Sequence, residues 1–530
     1  MREILPALAL ISACSGAIGT PNAMGPSVSG SPSPSPSPST SPSSSPSPNT
    51  ARALPAGIDR LTVGELATAI GLLLPGQTID VSGLPPDTRQ ADFTHNRDQI
   101  VDPAFATGLS ELAEQAAHVA VTQHAATIAP CARGAVPTAA CGATALEALA
   151  TRAFRRPLSA EDKAGLAAVF MVGATEKDGW YGVELGVQAI LQSPSFLYAV
   201  AIGGADGMLD DREAAETLAR VITGQAADAA LISLAAAHQL QDPAVREREA
   251  RRLFALPAAK DHLAKGILEW LRIDRINDIA KDANLYPSFF GLRPEMWREA
   301  LATASGAASG DVDTVKALLS APPPAISAGL TALYGSSTRH GILEQTAFLS
   351  VMASPTETSP VRRGNAVLKK LLCVELPLPT GLRVNIVPPA PDPSLTTRER
   401  FVVHSRDAAC RQCHQQIDPL GFAFEGFDAI GRSRDMENGK PIDSTVHIET
   451  PGAVGDFTGA DALLAVMAES PETRTCFARN ILRFALGTRD PGLEDALIAE
   501  WTTRGASGKL SDLLASYAAS PWFMKRRAPE

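Results

Sequence analysis

The sequence predicts a mainly α, multidomain chain: a helical array with one short β-hairpin element. Aromatic residues make up only 5% of the 530 residues while Ala is abundant, which favours helix over sheet. Apolar residues recur at helical spacing along most of the chain. A length of 530 residues accommodates about three to five domains at roughly 100–200 residues each. With 45% hydrophobic and 20% charged residues, most of the chain is able to form packed cores. Lys+Arg 47 against Asp+Glu 57 leaves a net charge of −10, which argues against a nucleic-acid-binding surface or a polybasic membrane patch. No internal stretch is apolar for 18 residues, so no transmembrane helix is expected.

Residues 1–13 read as a lipoprotein signal peptide. Arg2 is the lone positive charge, and the apolar run Ile4–Ala13 is too short to span a bilayer. Ile11-Ser12-Ala13-Cys14 resembles a bacterial lipobox, in which Cys14 would receive lipid and become the new N-terminus. An ordinary signal peptide with an incidental cysteine is the alternative. Residues 14–54 form a Ser/Pro-rich disordered tether that includes SPSPSPSPSTSPSSSPSP; alternating Pro removes backbone donors and keeps the chain extended. Together these imply a protein held at a bacterial cell envelope by a lipid anchor, on a periplasmic or cell-surface face.

Residues 55–128 read as an N-terminal helical domain, with Val63–Ile70 amphipathic and Leu84-Pro85-Pro86-Asp87 as an interrupting loop. A helical hairpin domain covers 141–200, its helix starting at about Ala143 and a later one opened by the capping pair Ser159 and Asp162. A further helical domain covers 208–335, where Asp210 and Asp211 look like helix-start charges rather than a catalytic acid pair. Residues 338–450 carry the chemistry. Within them Thr396-x-x-Glu399 is a capping box and 441–449 alternates like a strand or hairpin arm. Residues 458–526 form a C-terminal helical domain. Two internal echoes, Ser193-Pro194-x-Phe196 and Ser520-Pro521-x-Phe523, suggest related hairpins in which proline stops a helix and an aromatic folds back.

Cys410-Arg411-Gln412-Cys413-His414 is a C-x-x-C-H sequence, the c-type haem attachment pattern. Two cysteines on one helical turn reach the two vinyl groups of haem as thioethers, and the adjacent His414 approaches the iron from one face. With seven cysteines and nine histidines, about 0.0016 such matches are expected by chance. Other uses compete. Zinc would draw on Cys410, Cys413 and His404, but a fourth ligand is not evident. A redox dithiol would lack its usual βαβ context. Ile417–Gly421 reads as a turn whose carbonyl accepts from His414 Nδ1, and Leu420, Phe422, Phe424 and Phe427 supply apolar surface for either a porphyrin edge or ordinary core.

RRGNAVLKKLLC followed by TTRERFVVHSRDAACRQCHQQIDPLGFAFEGFDAIGR resembles the predicted cytochrome-c-type domain of large planctomycete and myxobacterial surface proteins. RAFRRPLSAED with AILQSPSFLY, LDDREAAETLARVITG, and CFARNILRFALG with ASPWF resemble its helical companions of unknown function. The resemblance covers most of residues 55–525 and implies a small cytochrome-c-like haem domain with a potential haem-binding role. It supplies no reaction, and only Cys410, Cys413 and His414 carry over as binding positions.

The expected cofactor is therefore one covalent haem c, with His414 as proximal iron ligand. His404 or Met436 is the distal candidate and His447 a third; a vacant position would suit small-molecule chemistry. No nucleotide-binding loop, nucleophile elbow or HExxH motif is evident, so the sequence names no hydrolytic activity. A redox partner protein is expected, with an envelope scaffold as the alternative role. Setting aside Cys14 and the CRQCH pair leaves Cys131, Cys141, Cys373 and Cys476, which allow three disulfide connectivities. Cys131–Cys141 would close a local loop, and Cys373–Cys476 would tie the CRQCH region to the C-terminal helices.

Overall fold

The computed structural model describes residues 53–309, 312–324, 327–335, 338–376, 389–406, 408–505 and 508–527, without the side chains of residues 403, 404, 408 and 409. The chain divides into Met1–Pro46 and Ser47–Glu530. The signal peptide, Cys14 and nearly all of the tether lie outside the described residues. No described helix is long and apolar enough to cross a membrane.

The fold is mainly helical with short two-stranded ladders. One core gathers apolar faces from Val63–Leu73, Pro103–Gln123, Ala139–Ala153, Ala160–Glu176 and Gly179–Gln192. Small residues set the approach of these helices: a Cβ on Gly142 would fall 2.1 Å from the Phe170 ring, so only glycine fits beneath that side chain. The helix expected from about Ala143 begins earlier, at Ala139, because Thr138 caps it by accepting from the Cys141 N–H at 3.3 Å. The Ser159–Asp162 capping box forms as expected.

A second, larger core is built mostly from residues between Leu209 and Met524, with Leu54 and Phe93 joining it. It joins helices Asp211–Thr223, Pro243–Phe254, Pro257–Trp270 and Phe289–Ala307 to the CRQCH region and to Pro471–Leu486 and Leu510–Ala519. Asp210 caps the first of these with a reciprocal bond to Glu213. Asp211 is buried and accepts from the Leu240 N–H at 2.8 Å, a structural use of that carboxylate.

The two echoes end alike. Phe196 and Phe523 are both buried, and Phe523 packs edge-on to Tyr517 with centroids 5.3 Å apart. Each is followed by a strand: Tyr198–Ala201 pairs antiparallel with Gly57–Arg60, and Arg526–Arg527 pairs parallel with Leu54–Pro55. The extended segment 54–60 thus binds both hairpin ends.

Both disulfides join the pairs named above. Cys131 bonds Cys141 across 10 residues, and Cys373 bonds Cys476 across 103. Because the second link closes a long loop, Cys373→Ala/Cys476→Ala should lower stability by about 2–5 kcal/mol. Urea unfolding of the double variant measures this, and an unchanged midpoint would contradict it.

A buried polar cluster surrounds Arg339, whose guanidinium lies 4.5 Å from the Tyr334 ring centroid and 4.3 Å from that of Phe427. Beside it Glu299 accepts from the Tyr334 hydroxyl at 2.6 Å and Glu344 from the His340 N–H at 2.9 Å. Burial pushes each carboxyl up to about 7. A folded-state pKa above the unfolded one favours the native state most where both states are protonated, and that contribution is lost as pH rises through the folded value. Glu299→Gln should therefore weaken the decline in stability between the ordinary value of 4.5 and about 7. Thermal unfolding across that range tests it, and parallel wild-type and variant curves would contradict it.

Candidate functional site

The CRQCH motif lies on helix Ala408–Phe422, which contains Pro419. The expected turn at Ile417–Gly421 is not present. Pro419 removes one helical hydrogen bond, yet packing keeps the helix running. That packing is a close crossing with helix Pro360–Ala366. A Cβ on Gly364 would meet the Ile417 carbonyl oxygen at 2.0 Å, and one on Gly421 the Pro360 carbonyl oxygen at 1.9 Å. Two glycines, one per helix, allow the backbones to touch.

The segment beyond the motif is held from below by Arg363, which is fully buried. Its guanidinium donates to the carbonyls of Phe424 at 2.9 Å, Phe427 at 2.9 Å and Asp428 at 2.7 Å. Glu425, also buried, accepts from Arg434 at 2.8 Å and Thr358 at 3.0 Å. The helix that leads into the motif, Thr397–His404, is opened by the Thr396–Glu399 capping box, with bonds of 2.7 and 3.2 Å. Arg398 on that helix reaches the Asp443 and Thr445 carbonyls at 2.9 and 2.7 Å. This ties it to strand Thr445–Ile448, which pairs with Gly455–Thr458. The alternating segment at 441–449 thus contributes a hairpin arm.

These elements enclose a cleft of about 280 Å³ whose walls include Arg398, Arg411, His414, Asp418, Phe422 and His447. Cys410 and Cys413 are free thiols, each partly buried, and Cys413 also packs against the core. His414 is partly buried, and its Nδ1 lies 2.8 Å from Asp418 Oδ1. The expected backbone acceptor is therefore replaced by a carboxylate, because an unbroken helix stacks residue 418 against residue 414. The hydrogen bond that His414 donates to Asp418, opposed by partial burial, raises the His414 pKa above its ordinary value.

Of the four apolar residues after the motif, only Phe422 lines the cleft; Leu420 and Phe424 are fully buried and Phe424 packs near Phe348. Phe427 lies under Arg339. These three serve the core. Among the distal candidates, Met436 is half exposed on strand Met436–Glu437 and is not one of the cleft's walls. His447 shares the cleft with His414 and holds Asp456 at 2.8 Å through Nδ1. The His404 side chain lies outside the described residues. Among the described residues no three His, Cys, Asp or Glu side chains form a metal-holding group.

Asp418, Arg363 and the glycine pair are functional supports that the sequence reading missed. Their one signal is a small or charged residue at a single helix position, which does not reveal a partner.

Three segments match family models. Residues 141–200 match PSD5, a protein of unknown function (DUF1595), and residues 209–336 match PSD4, a protein of unknown function (DUF1592). Residues 339–437 match PSCyt3, a protein of unknown function (DUF1588). These families are associated with cytochrome-c-like multidomain proteins. No curated protein and no solved structure matches the chain.

Proposed function

We propose that the protein is an envelope-anchored, c-type cytochrome-like lipoprotein that carries one covalent haem and exchanges electrons with a partner protein. One observation carries this reading. Four of the six described cysteines are consumed in disulfides, and the two left as thiols are those of CRQCH, one helical turn apart and next to His414; His414 lines the cleft, whereas the two thiols are partly buried on the same helix and are not among its walls. The donor set fits haem c: Cys410 and Cys413 would hold the vinyl carbons and His414 the iron. A haem bound there would supply a one-electron iron couple.

The surrounding residues have defined tasks. Donation from His414 Nδ1 to Asp418 fixes the tautomer in which Nε2 carries the lone pair, and the carboxylate makes the imidazole more basic. Phe422 offers the cleft an apolar wall, and Arg398 and Arg411 set guanidinium charge beside it, suited to the propionates. The disulfides accord with an oxidising compartment, and Cys14 would place the folded part at a membrane.

Three variants test the reading. Cys410→Ala/Cys413→Ala should leave haem absent or extractable. Asp418→Asn, which trades a carboxylate for a neutral amide, should raise the reduction potential, because the anionic partner favours the oxidised iron. A spectroelectrochemical titration reads this, and an unchanged potential would contradict the role given to Asp418. His447→Ala should change the iron spin state if His447 supplies the sixth ligand, and unchanged spectra would remove it from candidacy.

A further inference from the structure

We propose that a second cavity, remote from CRQCH in sequence and sharing none of its lining residues, binds a small amphiphile: an apolar chain or ring that ends in one carboxylic acid or carboxamide head. The cavity measures about 540 Å³, within the usual range of about 300–1,000 Å³ for small-molecule sites. It opens between helix Val63–Leu73, strand Tyr198–Ala201 and helix Asp211–Thr223. Its lining is mostly apolar, and three large apolar side chains stand exposed in it: Leu72 at 53%, Val200 at 45% and Ile232 at 57%. Exposed apolar groups gathered on one concave feature mark a binding surface.

The polar groups define the head. Most charges in the cavity are matched: Glu65 with Arg220 and His95, Asp59 with Arg97 and Arg220, Asp228 with Arg252. Arg152, Arg155, Arg526 and Glu216 form no ion pair among the described residues; Arg152 and Arg526 donate to carbonyls, while Arg155 and Glu216 act on each other through charge across the cavity without a direct contact. Arg155 Nη2 donates to the carbonyls of Phe196 and Tyr198, both at 2.8 Å, and no described carboxylate forms an ion pair with it. Its backbone φ of +55° is left-handed, a conformation non-glycine residues hold only at a cost. Glu216 accepts the Ala227 N–H at 3.3 Å, and burial pushes its carboxyl up to about 7. The Tyr517 hydroxyl is buried without a hydrogen-bond partner among the described residues, and Tyr517 also lines the cavity. A head group that accepts from Arg155 and shares a proton with Glu216 satisfies both, whereas a fixed cation would face the arginine. The inference stands apart from the haem reading.

Calorimetric titration of the full-length protein with decanoate, decanamide and decyltrimethylammonium tests it. Decanoate and decanamide should bind one per chain, and the cation at least about tenfold more weakly. Ile232→Trp, at an exposed position, should weaken decanamide by at least about tenfold with circular dichroism and unfolding midpoint unchanged. Glu216→Gln should tighten decanoate by removing residual negative charge. Equal binding of all three amphiphiles, insensitivity to Ile232→Trp, or no binding would each overturn the proposal.

Discussion

Arg363→Met should destabilise the protein by about 3–5 kcal/mol, the usual result of removing one partner from a buried charged network. The side chain is fully buried and serves three carbonyls on the segment that follows CRQCH. Burial pulls its pKa down to about 10, so the site already bears a desolvation cost that the hydrogen bonds offset. Methionine would leave those carbonyls without donors. Glu425, whose pKa burial raises, would keep Arg434 but lose the Arg363 charge 3.9 Å away. Arg363→Lys should fall between the two, because one ammonium cannot reproduce the guanidinium fork. Chemical denaturation followed by circular dichroism gives the result; a loss below about 1 kcal/mol would contradict the clamp.

Gly421→Ala should cost about 3 kcal/mol or more, because a contact of 1.9 Å to the Pro360 carbonyl oxygen can be relieved only by moving a helix. Gly364→Ala should behave similarly, since its Cβ would meet the Ile417 carbonyl oxygen at 2.0 Å. Gly165 is the control. It is exposed within helix Ala160–Glu176 and nothing lies within 4 Å of its would-be Cβ. Gly165→Ala should therefore stabilise the protein by about 0.4–1 kcal/mol. If all three substitutions had the same sign, the crossing would not be set by glycine.

What the sequence made legible was local. The capping boxes at Ser159 and Thr396 span four residues each, so pattern alone finds them; at Asp210 the same pattern reads only as helix-start charge. CRQCH is one turn of helix, so its C-x-x-C-H spacing is visible without a fold. Subtracting the motif pair and Cys14 left four cysteines and three connectivities, of which the structure forms Cys131–Cys141 with Cys373–Cys476. The partner of His414 was misread because Pro419 suggested a turn, and only tertiary packing could keep that helix unbroken. The Gly364–Gly421 crossing was invisible for a related reason: each glycine is meaningful only once its facing carbonyl is known. Phe424 and Phe427 read equally as cofactor surface or as core, because spacing does not distinguish a cleft wall from a core. The cavity at Arg155 and Glu216 draws on segments more than 450 residues apart in sequence, Leu54 and Arg526 among them, and no local pattern announces it.

The two thiols that the disulfides leave over carry the haem reading. Intact-mass analysis of full-length protein made in a host with c-type maturation, after denaturation, organic extraction and thiol alkylation, tests it most directly. The expected result is the mass of the chain plus one haem, with a tryptic peptide containing Cys410 and Cys413 that carries the haem and takes no alkylating reagent. A chain of unmodified mass, with Cys410 and Cys413 both alkylated, would contradict it.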